Sequence, residues 1–91
     1  MIALSPSDLF LHSQRKAVLA QLPTFDWKFT LGLGVRLRAG EHSVDTRQIG
    51  TGNHEGKATV LLSPRGEWSV AEAKIRAMID LGGPILLEPI S

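Results

Sequence analysis

WKFTLGLGVRLR, the stretch from Trp27 to Arg38, alternates apolar residues with polar residues or glycine over all twelve positions. A period of two predicts a β-strand with one buried face and one wet face. Because usual strands have about six residues, we expect a bend at Gly32 and Gly34, or bare backbone there for a ligand or another chain. The buried face is expected to carry Trp27, Phe29, Leu31, Leu33, Val35 and Leu37, and the wet face Lys28, Thr30, Gly32, Gly34, Arg36 and Arg38.

A first helix is predicted over Pro6–Gln21. Ser5 is suited to cap it, Pro6 to occupy its first position and Asp8 to complete a capping box. On a helical wheel the apolar residues form two seams. A domain this small buries one seam readily, so the other would either meet a second chain through Leu9 and Phe10 or fold Phe10 over the edge of the sheet.

A second helix is predicted over Ser69–Leu81, with Ser69 and Glu72 as its capping box. Gly82-Gly83-Pro84 is a termination signal. Lys74 falls inside the apolar arc of this helix, where a lysine extends its ammonium past the edge of the core, pairs across the core or points at a partner. The arc consists of Val70, Ala71, Ile75, Met78, Ile79 and Leu81.

The polar segment His42–Ile49 is predicted to pair with the long strand through the short connection Ala39–Glu41. Val44 and Ile49 have opposite parity, so this strand either contains a bulge or is a weak edge strand. The glycine-rich segment Gly50–Gly56, GTGNHEG, is predicted to be a loop.

Two more strands complete the predicted sheet. The apolar run in Lys57–Ser63 indicates a central strand, whereas Pro84 and Pro89 place Ile85–Ile90 at an edge. The predicted fold class is α+β, a three- to four-stranded antiparallel sheet with two helices on one face in the order α-β-β-β-α-β.

Composition limits the classes of protein that fit. The 91 residues are expected to form one domain, and a net charge of +1 is far below the strongly basic balance typical of nucleic-acid-binding chains. Cysteine is absent. The first residues, MIALSPSDLF, have no basic region followed by a long apolar run, and no stretch approaches the about 18 apolar residues of a membrane span. We therefore expect a cytoplasmic protein that does not enter a membrane.

The segment GTGNHEGK resembles a phosphate-binding P-loop only superficially. Gly50 and Gly56 enclose five residues where the motif needs four, and Ala58 stands where a hydroxyl residue should ligate magnesium. A predicted strand follows this segment, so no helix N-terminus would be available to a phosphate. We expect no nucleotide cofactor.

Metal binding and hydrolytic catalysis have no recognisable pattern in the chain. The three histidines, His12, His42 and His54, lack the three- or four-ligand spacing of a zinc site. There is neither a G-x-S-x-G elbow nor a cysteine nucleophile. We expect neither a bound metal nor an enzyme.

Basic residues suggest a second hypothesis for the function. Lys28, Arg36 and Arg38 share the wet face of the long strand, and such a face can follow a phosphate backbone. The element order is similar to the general topology of double-stranded-RNA-binding domains. Those domains present a basic cluster at the start of the last helix, where this chain has Ser69-Val70-Ala71-Glu72. A nucleic-acid-binding domain that uses the basic sheet face and the polar loop is therefore the alternative function.

The favoured hypothesis is that the chain is a small non-catalytic interaction or assembly module whose protein partner is unknown. A homodimer is one form of it, because two-fold dimers are the commonest symmetric assemblies. The candidate interaction surface consists of Phe10, Lys28, Gly32, Gly34, Arg36, Arg38, Arg47, His54, Lys57 and Lys74.

Overall fold

Seven antiparallel strands form one sheet in the computed structural model, which describes residues 2–12, 18–21 and 34–90. The strands are β1 (Ile2–Leu4), β2 (Leu9–Leu11), β3 (Val18–Gln21), β4 (Val35–Ala39), β5 (His42–His54), β6 (Lys57–Pro64) and β7 (Ile85–Pro89). One α-helix, α1 (Trp68–Leu81), joins β6 to β7, and a short 3-10 helix (Pro6–Asp8) joins β1 to β2. The order across the sheet is β1-β7-β4-β5-β6-β3-β2.

The sheet is strongly curled. β1 and β2 lie at opposite ends of the strand order, although only residues 5–8 separate them along the chain. In a flat sheet with strands about 4.8 Å apart, these ends would lie about 29 Å apart. The chain from Leu4 to Leu9 spans at most about 18 Å. The two ends of the sheet must therefore approach each other, with the 3-10 helix as their connection.

A single apolar core lies on one face of this sheet, under α1. α1 contacts β4, β5 and the 3-10 helix. Each of the seven strands contributes at least one buried apolar residue to the core, and β3, β4 and β7 contribute alternate residues, as period-two patterning requires. The buried apolar residues are Leu4, Leu9, Val18, Ala20, Val35, Leu37, Ala39, Val44, Val60, Leu62, Ala71, Ile75, Met78, Ile85 and Leu87.

The prediction of a first helix over Pro6–Gln21 is wrong beyond the first turn, which is a 3-10 helix. The start signal is real, because Ser5 donates to the Asp8 carboxylate from its backbone N (3.2 Å) and its Oγ (3.0 Å). The helix ends after Asp8, and β2 and β3 follow within the described part of that range. Leu9 is buried and Phe10 is not, because successive residues of a strand point to opposite faces. The apolar residues that were assigned to helical seams are therefore divided between the two faces of strands. The described residues form one α-helix instead of two and seven strands instead of three or four, so the coarse α+β class holds and the finer arrangement does not.

The long predicted strand is described only from Gly34 onward. Trp27–Leu33, including Lys28 and Gly32, lies outside the described residues. In β4 the predicted faces are confirmed, because Val35 and Leu37 are buried and Arg36 and Arg38 are exposed. Gly34 is an exception, since it is buried rather than part of a wet face.

β5 is the longest described strand, with 13 residues, and lies between β4 and β6. The predicted bulge is confirmed by a register shift between Gln48 and Gly50, and the alternative of a weak edge strand is wrong. The predicted loop Gly50–Gly56 is also wrong, because β5 continues to His54 and turns into β6 through two residues. Glu55 (φ 52°) and Gly56 (φ 80°) both have positive φ, the conformation of a tight hairpin turn.

α1 begins one residue before the predicted Ser69, and its N-cap is Glu67. Ser69 therefore lies inside the helix, and the predicted Ser69–Glu72 capping box is wrong. Gly82 ends the helix in the left-handed conformation (φ 76°), as predicted. The buried residues of α1 are Ala71, Ile75 and Met78, a narrower stripe than the predicted arc.

β7 is not the edge strand that its prolines suggest. It lies between β1 and β4, and its described pairs run from Ile85 with Leu4 to Pro89 with Val35. Pro84 precedes the strand and Pro89 ends it, so neither proline removes a donor from the middle of the ladder.

Candidate functional site

An open groove of about 740 Å³ lies between the first half of α1 and the start of β5. Its apolar floor is formed by Val44 of β5 and by Val70 and Ala71 of α1. Val44 and Ala71 are buried, whereas Val70 is 52% exposed. A large aliphatic side chain half in water, beside buried apolar residues, is a surface on which a further apolar group would bury area favourably.

Charged side chains form the rim of this groove. Arg36, Arg65 and Lys74 are its cations, and Asp45 and Glu67 are its carboxylates. Arg36 and Asp45 are directly opposite each other in the β4–β5 ladder, which brings their side chains together on the outer face of the sheet. The Arg65 backbone N donates to the Asp45 carbonyl oxygen (2.9 Å), which holds the β6–α1 connection against β5.

Arg36 and Asp45 form the shortest ion pair among the described residues. Arg36 Nε donates to Asp45 Oδ1 at 2.7 Å, and Nη2 lies 3.5 Å from Oδ2. The hydrogen bond from Arg36, helped by the charges of Arg36 and Arg65 and opposed by partial burial, lowers the pKa of Asp45 below its ordinary value of 3.8. The same hydrogen bond and the charge of Asp45 raise the pKa of Arg36. Both groups are therefore ionised at neutral pH.

The lowered pKa of Asp45 predicts a pH-dependent contribution to stability. A carboxyl with a lower pKa in the folded state stabilises the fold above its unfolded pKa and stops doing so as the pH falls through the folded pKa. The difference in unfolding free energy between the wild type and Asp45→Asn should be constant from about pH 5 to 7 and shrink below about pH 4. Urea titrations across this range measure it. A difference that grows on acidification would contradict the assignment, and Arg36→Gln should weaken the trend.

A second ion pair lies on the same outer face. Arg38 Nε of β4 is 3.3 Å from Glu88 Oε1 of β7. Glu88 is opposite Arg36 in the β4–β7 ladder, so the two arginines of β4 lie between the carboxylates of Asp45 and Glu88. The wet face of β4 is therefore charge-balanced here, whereas the sequence pattern alone suggests a basic one.

The other candidate interaction residues that the structure describes do not converge on the groove. Phe10 of β2 packs against His54 of β5, with ring centroids 4.6 Å apart. Arg47 and Lys57 are exposed on β5 and β6. Of the candidates within residues 2–12, 18–21 and 34–90, only Arg36 and Lys74 line the groove together.

The backbone at Gly34 is closely approached by other segments of the same chain, whereas the prediction was a bend or an approach by a ligand or another chain. A Cβ at this position would overlap the backbone carbonyl of Thr46, and the Gly34 carbonyl oxygen accepts from the Ile90 N at 3.0 Å. The segments that approach this backbone belong to the chain itself, so Gly34 has a role in the fold rather than in a binding surface.

Val70 is the groove residue that sequence reasoning misplaced. It belongs to the predicted buried arc, together with Leu81, which is 58% exposed. The signal was available in the spacing, because Ala71, Ile75 and Met78 alone form a complete i, i+4, i+7 stripe. Val70 and Lys74 lie beside that stripe, one helical turn apart.

Within the described ranges, no three histidine or acidic side chains come together as metal ligands. Nor does any helix described there have the length and apolarity to cross a bilayer. Comparison with protein-family models, with curated proteins and with solved structures finds no match. We therefore infer the function from the residues of this chain.

Proposed function

We propose that this chain is a small non-catalytic interaction module that assembles with another protein. The observation that supports the proposal is the groove between α1 and β5, where the half-exposed Val70 lies on an apolar floor with charged residues around it. Interfaces between proteins combine an apolar centre with a polar rim in this way. The Arg36–Asp45 and Arg38–Glu88 pairs join neighbouring strands, which is a structural use of charge rather than a catalytic one.

A crosslinking pull-down from the native host tests this role, with the wild-type chain as bait. We expect a protein partner in stoichiometric amount. Turnover of a generic esterase, phosphatase or nuclease substrate by the purified chain, abolished by changing His54 and Glu55 in the polar hairpin, would contradict the proposal and indicate an enzyme.

Nucleic-acid binding remains the second candidate, supported by the exposed Arg47 and Lys57 of the β5–β6 hairpin. The ion pairs of Arg36 and Arg38 leave the described part of the sheet face with less uncompensated positive charge than this role needs. Titration with duplex RNA, duplex DNA and single strands at two salt concentrations separates the candidates. Affinity that falls steeply with salt would favour nucleic acid, and no binding at low salt would remove it.

A second copy of the chain is one partner that the proposal includes. Leu9 is only 1% exposed, so the predicted dimer contact through Leu9 is wrong, and Phe10 remains the candidate on that strand. Sedimentation over a concentration series, repeated with Phe10→Asp, decides between a monomer, a dimer through Phe10 and a dimer through another surface.

A further inference from the structure

We propose that the groove between α1 and β5 binds an acidic, extended segment of a partner protein, which places one apolar side chain against Val70. This inference rests on the interaction role proposed above and assigns a surface and a chemical class to the partner.

Val70 provides the apolar contact of the proposed site. Among the described residues, three large hydrophobic side chains are more than half exposed, namely Ile49, Val70 and Leu81. Val70 differs from Ile49, which occupies the bulge of β5, because it lies in a groove beside the buried Val44 and Ala71. One inserted apolar side chain would therefore be covered on several sides, which is the environment in which interface anchors contribute most.

Lys74 is the charged groove residue from which we infer an acidic partner. The groove is lined by the cations Arg36, Arg65 and Lys74 and by the carboxylates Asp45 and Glu67. Asp45 is held by two atoms of Arg36, so its charge is compensated inside the protein. Lys74 is exposed and forms no ion pair with any described residue, although it lies one turn from Val70 on α1. A carboxylate of the partner beside its apolar anchor would meet this ammonium, which gives the complementarity that selects a partner.

The shape of the groove favours a segment over a small molecule. Its volume is within the range of about 300–1,000 Å³ typical of ligand pockets, but a pocket must also enclose most of its ligand. This groove is open to solvent, and its lining comes from α1, from β4 and β5, and from the connection that joins β6 to α1. An extended peptide can lie along such a groove and insert one side chain.

Selection of a phage-displayed random peptide library on the immobilised chain tests the proposal. We expect the selected peptides to combine aspartate or glutamate with one aliphatic or aromatic residue. Neutral or basic selected sequences, or no enrichment over bare support, would overturn the proposal.

A synthetic peptide from the selection then allows matched variants to be compared by fluorescence anisotropy. Val70→Asp and Lys74→Glu should each weaken binding by about tenfold or more, as expected for an anchor and its neighbouring charge. The controls are Ile49→Asp, at an equally exposed aliphatic residue (51% against 52%), and Arg76→Glu, with the same charge change on the same helix. The controls should change the Kd by less than about threefold, since exposed residues outside the contact contribute little. Equal losses in variants and controls would overturn the proposal, with circular dichroism confirming that each variant is folded.

The pull-down distinguishes failure of this inference from failure of the interaction role. If the native partner is captured equally by wild type, Val70→Asp and Lys74→Glu, the interaction role stands and the assignment of the groove is wrong. If no partner is captured by the wild type, the interaction role itself is wrong.

Discussion

Gly34→Ala is expected to destabilise the fold by about 4 kcal/mol, the sum of backbone strain and a steric overlap at one buried position. Gly34 has a φ of 134°, in the range that L-residues rarely adopt. Its missing Cβ would lie against the backbone carbonyl of Thr46, which cannot rotate away as the end of a side chain can. Thr46 is itself fixed, because its buried Oγ1 donates to the Val35 carbonyl oxygen at 2.8 Å.

Chemical denaturation measures this effect, with Gly50→Ala in β5 as the control. A Cβ at Gly50 would meet Leu61 Cδ1 at 3.8 Å, an ordinary van der Waals contact. We expect that control to change the unfolding free energy by less than about 1 kcal/mol. Similar stabilities for the two alanine variants would show that Gly34 does not occupy the conformation described here.

Ile75→Ala is expected to cost about 3 kcal/mol, within the usual range for truncating a buried isoleucine. Ile75 is fully buried at the centre of the Ala71–Ile75–Met78 stripe by which α1 covers the sheet. Removing its side chain leaves a cavity between the helix and the strands beneath it. Because a domain of this size loses about 4–8 °C of Tm per kcal/mol, the Tm should fall by more than about 10 °C.

Leu81→Ala is the matched control for Ile75→Ala. Leu81 lies on the same helix but is 58% exposed, so its truncation should cost less than about 1 kcal/mol. Comparing the two variants tests whether α1 packs through the narrow stripe observed or through the wider apolar arc that the helical wheel predicts. An equal loss of stability in both variants would mean that α1 is rotated relative to the sheet.

The parts of the fold that sequence patterns predicted are those where one period dominates. Arg36 and Arg38 alternate with Val35 and Leu37, so the two faces of β4 were predictable. Leu9–Leu11 is an apolar run of three residues, too short to distinguish the helical period from the strand period. The capping signal at Ser5 and Asp8 favoured a long helix, but the helix that it starts ends after three residues. Pairing of β2 with β3, and the long-range pairing of β3 with β6, override that local preference.

The hairpin turn at Glu55-Gly56 shows a different limit of local reasoning. Segments rich in glycine usually form loops, yet β5 passes through Gly50 and Gly52 because β6 pairs with it residue by residue. The candidate groove was partly predictable. Lys74 is anomalous on the helical wheel, and the complete stripe of Ala71, Ile75 and Met78 leaves Val70 beside it rather than within it.

Photo-crosslinking in the native host tests the central claim, that the groove between α1 and β5 is the surface through which this chain binds its partner. p-Benzoylphenylalanine is placed at position 70 in one sample and at position 49 in another, in otherwise wild-type chains. We predict a covalent adduct from position 70 whose partner peptide is acidic. The adduct should be lost with Lys74→Glu and kept with Arg76→Glu. Adducts from position 49 alone, or a position-70 adduct indifferent to Lys74→Glu, would contradict the claim.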